Sequence, residues 1–156
     1  MDIEVKMLEE IVNKNLKRIE KDLQEIDDII GIDFIDFFPT SEEHKNQLDE
    51  EAKMLGKVIK ETERGNVYLL NIPIKTKYGE LSLFKVRFFD ATRLNWEAAA
   101  DFIVKDRTVL ENKVGTDSRF KYIKRPDWDA VEFKTEDTLI YFLNPLASEV
   151  YLNKKR

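Results

Sequence analysis

The sequence predicts an α+β domain, in which an N-terminal helical hairpin packs against one face of a mainly antiparallel sheet of about five strands. Two observations predict this fold. Apolar side chains recur every three or four residues up to about position 60, which is the repeat of a helix. From position 66 onward they fall mostly at every second residue, which is the repeat of a half-buried strand. We therefore divide a single domain, residues 1–156, into a helical part at 1–60 and a mainly β part at 66–156.

The first helix is predicted over residues 2–30, a stretch without Pro or Gly. Its apolar residues form one helical face: Val5, Leu8, Val12, Leu16, Ile19, Leu23, Ile26 and Ile30. From Val12 the steps alternate between four and three residues, which is the heptad seam of helices that pack side by side. Gly31 supplies a stop. Such a helix is marginal in water on its own, so the seam requires a partner.

A second helix is the simplest partner for this seam. Thr40 with Glu43 three residues later has the spacing of a capping box, which marks a helix start. A second apolar face follows at helical spacing: Leu48, Ala52, Leu55 and Ile59. The two helices would form an antiparallel hairpin. The alternative is that the long helix associates with a second copy of itself, which predicts a homodimer.

The mainly β part begins with a predicted hairpin. Residues 67–74 and 81–89 are rich in strand formers and flank a turn-like stretch at 75–79. Pro73 places the first of these strands at a sheet edge or at its own end, because proline cannot donate a hydrogen bond to a neighbouring strand.

The remaining residues predict one helix and three strands. A helix capped by Asn95 is predicted around 95–112, with an extended stretch at 102–104 as the competing interpretation. Strands are predicted at 119–124, 130–134 and 138–143.

Composition narrows the available chemistry. The 156 residues include no Cys and a single His, which excludes disulfides, thiolate zinc sites and any site that needs two histidines. His44 lies in a polar helix start, where an exposed surface role is the simplest interpretation. No glycine-rich phosphate loop, dinucleotide fingerprint or EF-hand loop occurs, so we expect no cofactor. The charged N-terminus and the lack of an apolar run of membrane-spanning length predict a cytoplasmic protein with no membrane partner.

One constellation suggests a metal-dependent nuclease. Glu132 and Lys134 are two residues apart on a predicted strand and share a face, while Asp117 precedes the neighbouring strand. An Asp and a Glu can hold a hard cation through oxygen atoms, and a Lys can assist the attacking water. This arrangement resembles the PD-(D/E)xK nuclease superfamily. The resemblance implies catalysis by Asp117, Glu132 and Lys134, with Asp117 and Glu132 as metal ligands.

A second constellation suggests binding of single-stranded nucleic acid. Basic and aromatic residues alternate along one stretch: Arg119, Lys121, Tyr122, Lys124, Arg125 and Trp128. Basic sheet surfaces with stacking aromatic rings bind single strands. The acidic excess of the net charge of −5 lies in residues 1–64, which argues against contact between nucleic acid and the N-terminal half.

The sequence as a whole favours a non-catalytic protein-interaction module that acts through the long helix, with a protein partner or a second copy. The scarcity of catalytic side chains and the length of the heptad seam support this interpretation. The nuclease and the single-stranded nucleic-acid binder are the two alternatives.

Overall fold

One eight-stranded sheet organises the part of the chain that the structure describes. The computed structural model describes residues 7–153, so residues 2–6 of the predicted first helix, Val5 among them, lie outside it. The helices are α1 (Met7–Leu23), α2 (Glu42–Leu55), α3 (Thr108–Glu111) and α4 (Ala147–Tyr151). The strands are β1 (Ile29–Phe37), β2 (Gly56–Thr62), β3 (Gly65–Thr76), β4 (Gly79–Arg87), β5 (Ala98–Val104), β6 (Phe120–Lys124), β7 (Asp129–Lys134) and β8 (Leu139–Asn144).

The sheet is mixed, and it is built from two halves that are each continuous in the chain. The strand order is β2-β3-β4-β1-β5-β8-β7-β6. The first half, β1 to β4, therefore meets the second half, β5 to β8, along the antiparallel ladder between β1 and β5. Two pairs are parallel, β1 with β4 and β5 with β8.

The apolar stripe of α1 packs on the sheet. Leu8, Val12, Leu16, Ile19 and Leu23 are between 0% and 6% exposed, and they share one core cluster with residues of both sheet halves and of α2. The heptad seam therefore has its partner within the chain. Self-association through this helix stays a prediction, but the stripe on which it depended is already covered.

The predicted fold class is wrong in two respects. The N-terminal part contains a single helix followed by a central strand, not a helical hairpin, because residues 29–37 form β1 between α1 and α2. The sheet has eight strands rather than about five, since β1, β2 and β5 were not predicted. The predicted helix around 95–112 is replaced by β5 and the short α3, so the extended alternative at 102–104 was the better one.

The other elements of the β part agree with the sequence analysis. β3 and β4 form the predicted hairpin, paired from Thr76 opposite Gly79. β6, β7 and β8 occupy the three predicted strand segments. Pro73 lies beyond Leu70, the last residue of β3 that pairs with β2, so this part of β3 has β4 alone as a neighbour. It also falls where the β3–β4 register is interrupted, between Leu69 and Ile74. None of the helices in residues 7–153 is long and apolar enough to cross a membrane.

A buried polar contact joins α2 to β3. Ser41, not the predicted Thr40, caps α2 by accepting a hydrogen bond from the His44 amide at 3.0 Å. Within the helix, Lys45 Nζ lies 2.7 Å from Asp49 Oδ2. The hydroxyl of the fully buried Tyr68 on β3 donates to the other carboxylate oxygen, Asp49 Oδ1, at 2.7 Å. The buried carboxylate thus has partners on both of its oxygen atoms.

The two faces of the sheet differ in cover. α1 and α2 pack on one face, which carries the main core. On the opposite face, which we call the open face, α4 packs on Phe34, Val67 and Leu83, with Tyr151 stacked on Phe34 at a centroid distance of 5.8 Å. A second buried cluster on this face joins Phe38 and Trp96 to Ala99 and Leu139.

Candidate functional site

A groove of about 730 Å³ runs across the open face. Its floor comes from β1, β4, β5, β8, β7 and β6, and residues of the turn at 125–128 and of α4 also line it. Six basic side chains line it: Arg64, Lys85, Arg87, Arg93, Lys121 and Arg125. Four acidic side chains line it as well: Asp36, Asp101, Asp127 and Glu132.

Strand register explains why these charges line up. Asp36 on β1 lies beside Lys85 on β4. Asp101 on β5 lies beside Tyr141 on β8, which in turn lies opposite Glu132 on β7. Glu132 lies opposite Lys121 on β6. Because side chains of adjacent paired residues point to the same face, these positions form one polar row across the sheet.

Two carboxylates, Asp36 and Asp101, lie at the centre of this row and are called the carboxylate pair below. They belong to the neighbouring strands β1 and β5, and they are diagonal neighbours because Asp36 is opposite Ala99 and Asp101 is opposite Phe34. Asp101 is 3% exposed. Asp36 opens to the groove through one part of its side chain, but its Oδ1 atom is buried without a hydrogen-bond partner in the described part of the chain.

Burial controls the protonation of the carboxylate pair. It raises the pKa of Asp36 above its usual value, although the positive charges of Lys85 and Arg87 act in the opposite direction. Burial also raises the pKa of Asp101 well above its usual value, and the negative charge of Asp36 adds to the effect. Burial therefore shifts both carboxyl groups toward the neutral acid.

Three arginines, Arg64, Arg87 and Arg93, converge beside Asp36 and are called the arginine cluster below. They come from the β2–β3 turn, from the end of β4 and from the 3-10 turn Ala91–Arg93. The guanidinium carbons of Arg87 and Arg93 lie 5.2 Å and 6.0 Å from the ring centroid of Phe38. Burial lowers the pKa of Arg87, and the like charges of Arg64 and Arg93 lower it further.

The arginine cluster lacks a close protein counter-ion. Among residues 7–153, no salt bridge within 4.0 Å joins any of the three arginines, or Lys85, to a carboxylate. Cations that are held together without such partners form a strongly positive site. This end of the groove is therefore suited to an anion.

The opposite end of the groove carries a smaller basic-aromatic group. Arg125 lies over the ring of Trp128 at 5.9 Å, and Trp128 is 38% exposed. Lys121 contributes a further positive charge from β6. Tyr141 and Tyr151 line the groove between its ends.

The structure places the predicted nuclease residues in different surroundings. Glu132 and Lys134 share the open face, as their spacing predicted, and Lys134 Nζ lies 5.2 Å from the ring centroid of Trp96. Asp117 is instead held by Arg119, through contacts of 3.1 Å and 2.9 Å that lower its pKa to about 2. Arg119 also binds Glu25, which follows α1 on the helix-covered side. Within residues 7–153, no three His, Cys, Asp or Glu side chains form a group that could hold a metal ion.

The predicted nucleic-acid residues are divided between two places. Lys121, Arg125 and Trp128 line the groove. Tyr122 and Lys124 alternate with Lys121 and point away from it, and Tyr122 contacts Asp129, which raises the tyrosine pKa. Arg119 is engaged with Asp117 and Glu25.

Sequence reasoning missed the carboxylate pair and the arginine cluster. No element is predicted at Asp36 and a helix is predicted at Asp101, so the sequence places neither on a sheet face. A signal for Asp36 was present, because Ile32, Phe34 and Ile35 surround two acids with strand-forming residues. The arginines lie apart in sequence, at positions 64, 87 and 93. The hairpin register brings Arg64 next to Arg87, and Arg93 follows β4 in the 3-10 turn.

Comparisons with known proteins concern the fold alone. No protein-family model matches the chain, and no curated protein matches it. A solved structure described as "Structural Genomics, Protein EC4020" is similar, with a TM-score of 0.63 and 11% sequence identity over 97% of this chain and 87% of that chain. At this identity the likeness indicates a shared fold and carries no information about the groove.

Proposed function

We propose that the groove binds an organic anion that carries phosphate groups and is about the size of a nucleotide. The observation that carries this proposal is the arginine cluster, three converging guanidinium groups without a salt-bridge partner in residues 7–153. Arginine presents a planar fork of donors that matches phosphate oxygens in pairs. The volume of about 730 Å³ lies in the range of small-molecule sites.

The remainder of the groove suits the organic part of such a ligand. Tyr141 and Tyr151 supply aromatic surface between the ends of the groove, and the polar row supplies hydrogen-bonding groups. Sites of this kind combine apolar walls with a few oriented polar groups.

Titration with ADP tests the proposal. We expect saturable binding by isothermal titration calorimetry. In the double variant Arg64→Ala and Arg93→Ala, we expect the Kd to rise about tenfold or more, because each lost hydrogen bond to a charged group is worth about 1.5–3 kcal/mol.

Arg18→Ala is the matched control for the loss of positive charge. Arg18 lies on α1, on the other face of the sheet, where it pairs with Asp137 at 3.3 Å. Its removal should leave the Kd for ADP unchanged. Absence of ADP binding at millimolar concentration, or equal effects of the control and the cluster variant, would refute the proposal.

A second candidate is a single-stranded nucleic acid, favoured by the position of Lys121, Arg125 and Trp128 in the same groove. From β4 to β6 the groove crosses five strand spacings, or about 24 Å, which is longer than one nucleotide. An oligothymidylate that binds more tightly than ADP, and that loses affinity in Trp128→Ala, would favour this candidate. Equal or weaker binding of the oligothymidylate favours the small anion.

A further inference from the structure

The carboxylate pair lies where its negative charge would oppose the binding of an anion. Asp36 and Asp101 face the same groove as the arginine cluster, and an ionised carboxylate there would repel an incoming anion. The groups whose charges act on the pair come from every neighbouring element: Asp33 on β1, Lys85 and Arg87 on β4, Arg64 in the β2–β3 turn, Arg93 in the 3-10 turn, and Tyr141 on β8.

The geometry favours a shared proton. The two side chains are diagonal neighbours across the β1–β5 ladder, Asp101 is 3% exposed, and Asp36 Oδ1 is buried without a hydrogen-bond partner in the described residues. Two carboxylates at such positions repel each other when both are ionised, and burial weakens the solvation that would offset the repulsion. A proton on one of them removes the repulsion and supplies a hydrogen-bond donor.

We propose that Asp36 and Asp101 hold one proton between them when the groove is occupied, and that this proton is donated in a hydrogen bond to the bound anion, so that anion binding is coupled to proton uptake. This inference rests on the proposed function, since it concerns the same anion. The proton comes from solvent and is held by a carboxylate oxygen, and no other bond is made or broken. The ligand class is thereby narrowed to anions that present a hydrogen-bond acceptor next to the arginine cluster.

The pKa values of the carboxylate pair depend on two opposing effects, burial and the charges nearby. Four positive groups surround Asp36, yet the effect of burial outweighs them and its pKa is raised. Asp101 has the additional negative charge of its neighbour, and its pKa is raised further. A carboxyl whose pKa is already raised by burial takes up a proton more readily when a further negative charge arrives.

Sulfate is the probe for the first experiment, because it remains fully ionised near neutral pH and any proton taken up must come to the protein. Binding is measured by calorimetry between about pH 5 and 9 in buffers of different ionisation enthalpy, and the buffer dependence of the heat gives the number of protons. We expect uptake of a proton, and a Kd that rises up to about tenfold per pH unit in the window where the pair deprotonates.

Asn substitutions identify the groups responsible. In the double variant Asp36→Asn and Asp101→Asn, both side chains keep their shape but cannot titrate, so we expect the pH dependence of the Kd to disappear. Asp127→Asn is the control, because Asp127 also lines the groove but lies in the turn at its far end. This control should keep the pH dependence of the unmodified protein.

If the Asn variants fail to fold, a measurement on the unmodified protein shows whether Asp36 or Asp101 takes up the proton. Carboxyl carbon NMR follows Asp36 and Asp101 in the free protein and with sulfate bound. We expect at least one of the two to titrate above the usual Asp value of about 3.9, and to move further upward with sulfate.

The outcomes separate this inference from the proposed function. Sulfate and ADP that bind with a pH-independent Kd and without proton uptake would overturn the shared proton and leave the anion site intact. If the carboxyl signals of Asp36 and Asp101 both titrate near the usual Asp value with sulfate bound, the shared proton is likewise overturned and the anion site is left intact. Absence of binding by either anion at any pH overturns the proposed function itself, and this inference with it.

Discussion

Replacing Tyr68 by Phe tests the buried contact between α2 and β3. Tyr68 is fully buried, and its hydroxyl donates to Asp49 Oδ1 at 2.7 Å, while Lys45 occupies the other carboxylate oxygen at 2.7 Å. The substitution removes one oxygen atom and leaves no cavity large enough to matter. A hydrogen bond to a charged acceptor contributes about 1.5–3 kcal/mol, so we expect the free energy of unfolding to fall by about 2 kcal/mol.

Urea unfolding followed by circular dichroism measures this loss. For a chain of this size, 1 kcal/mol corresponds to a shift in Tm of about 2–4 °C, so the Tm should fall by about 4–8 °C. Tyr78→Phe is the matched control. Tyr78 also packs at the edge of the core, against Phe102 at 5.4 Å, but its hydroxyl has no hydrogen-bond partner among the described residues.

The pH dependence gives a second check. Burial raises the pKa of Tyr68, so its stabilising contribution is present below the unfolded-state pKa of about 10 and is lost as the pH rises above it. The difference between the unmodified protein and Tyr68→Phe should therefore narrow above about pH 10. A loss below about 0.5 kcal/mol, or an equal loss in Tyr78→Phe, would refute the role assigned to this hydrogen bond.

Three further outcomes follow from the packing and the charges. Leu16→Ala should reduce the free energy of unfolding by about 2–5 kcal/mol, because Leu16 is buried under α1. Lys17→Ala, on the exposed side of the same helix, should change it by less than about 0.5 kcal/mol. Equal effects of the two substitutions in urea unfolding would mean that the apolar stripe of α1 is not packed on the sheet. Asp101→Asn should raise the Tm at neutral pH, because a carboxyl whose folded pKa is raised loses its stabilising contribution as the pH climbs above the unfolded value of about 3.9. The increase in Tm should vanish when the protein is melted near pH 4. An unchanged Tm at both pH values would contradict the raised pKa of Asp101. The carboxyl carbon of Asp117 should titrate with a pKa of about 2 because of Arg119, and a midpoint near 4 would show that the pair does not persist in solution.

The sequence predicted the elements whose local pattern agrees with their final surroundings. The hairpin of β3 and β4 and the strands β6 to β8 are rich in the β-branched and aromatic residues that favour strands, so their local preference agrees with the sheet. α1 was recognised from its stripe of Leu, Ile and Val, and only its C-terminal end was placed too far along the chain, past Leu23.

The missed strands are those at the middle and at one edge of the sheet. β5 contains Ala98, Ala99 and Ala100, and alanine has the highest helix propensity, so the local preference pointed to a helix. In the sheet these small residues lie in the ladder with β1, where tertiary packing decides the conformation. β1 was hidden because Ile26 and Ile30 extend the helical repeat and Gly31 was taken as a stop, although Gly31 lies inside the strand.

The candidate site could be predicted only in part, for the same reason. Lys121, Arg125 and Trp128 were identified because they lie close together in a segment whose strand was correctly placed. Asp36 and Asp101 depend on β1 and β5, which are strands only in the assembled sheet. Without these two strands the sequence could not show that both carboxylates face one groove.

The single ladder between β1 and β5 has a consequence for the protein as a whole. It is the one strand pairing that connects the two sheet halves in the described chain, and it carries two register shifts, between Ile29 and Gly31 and between Ile32 and Phe34. A slip of one residue would turn Asp36 toward the helices, and a slip of two would carry it along β5 by about 7 Å. The register of the β1–β5 ladder therefore determines whether Asp36 and Asp101 lie next to each other.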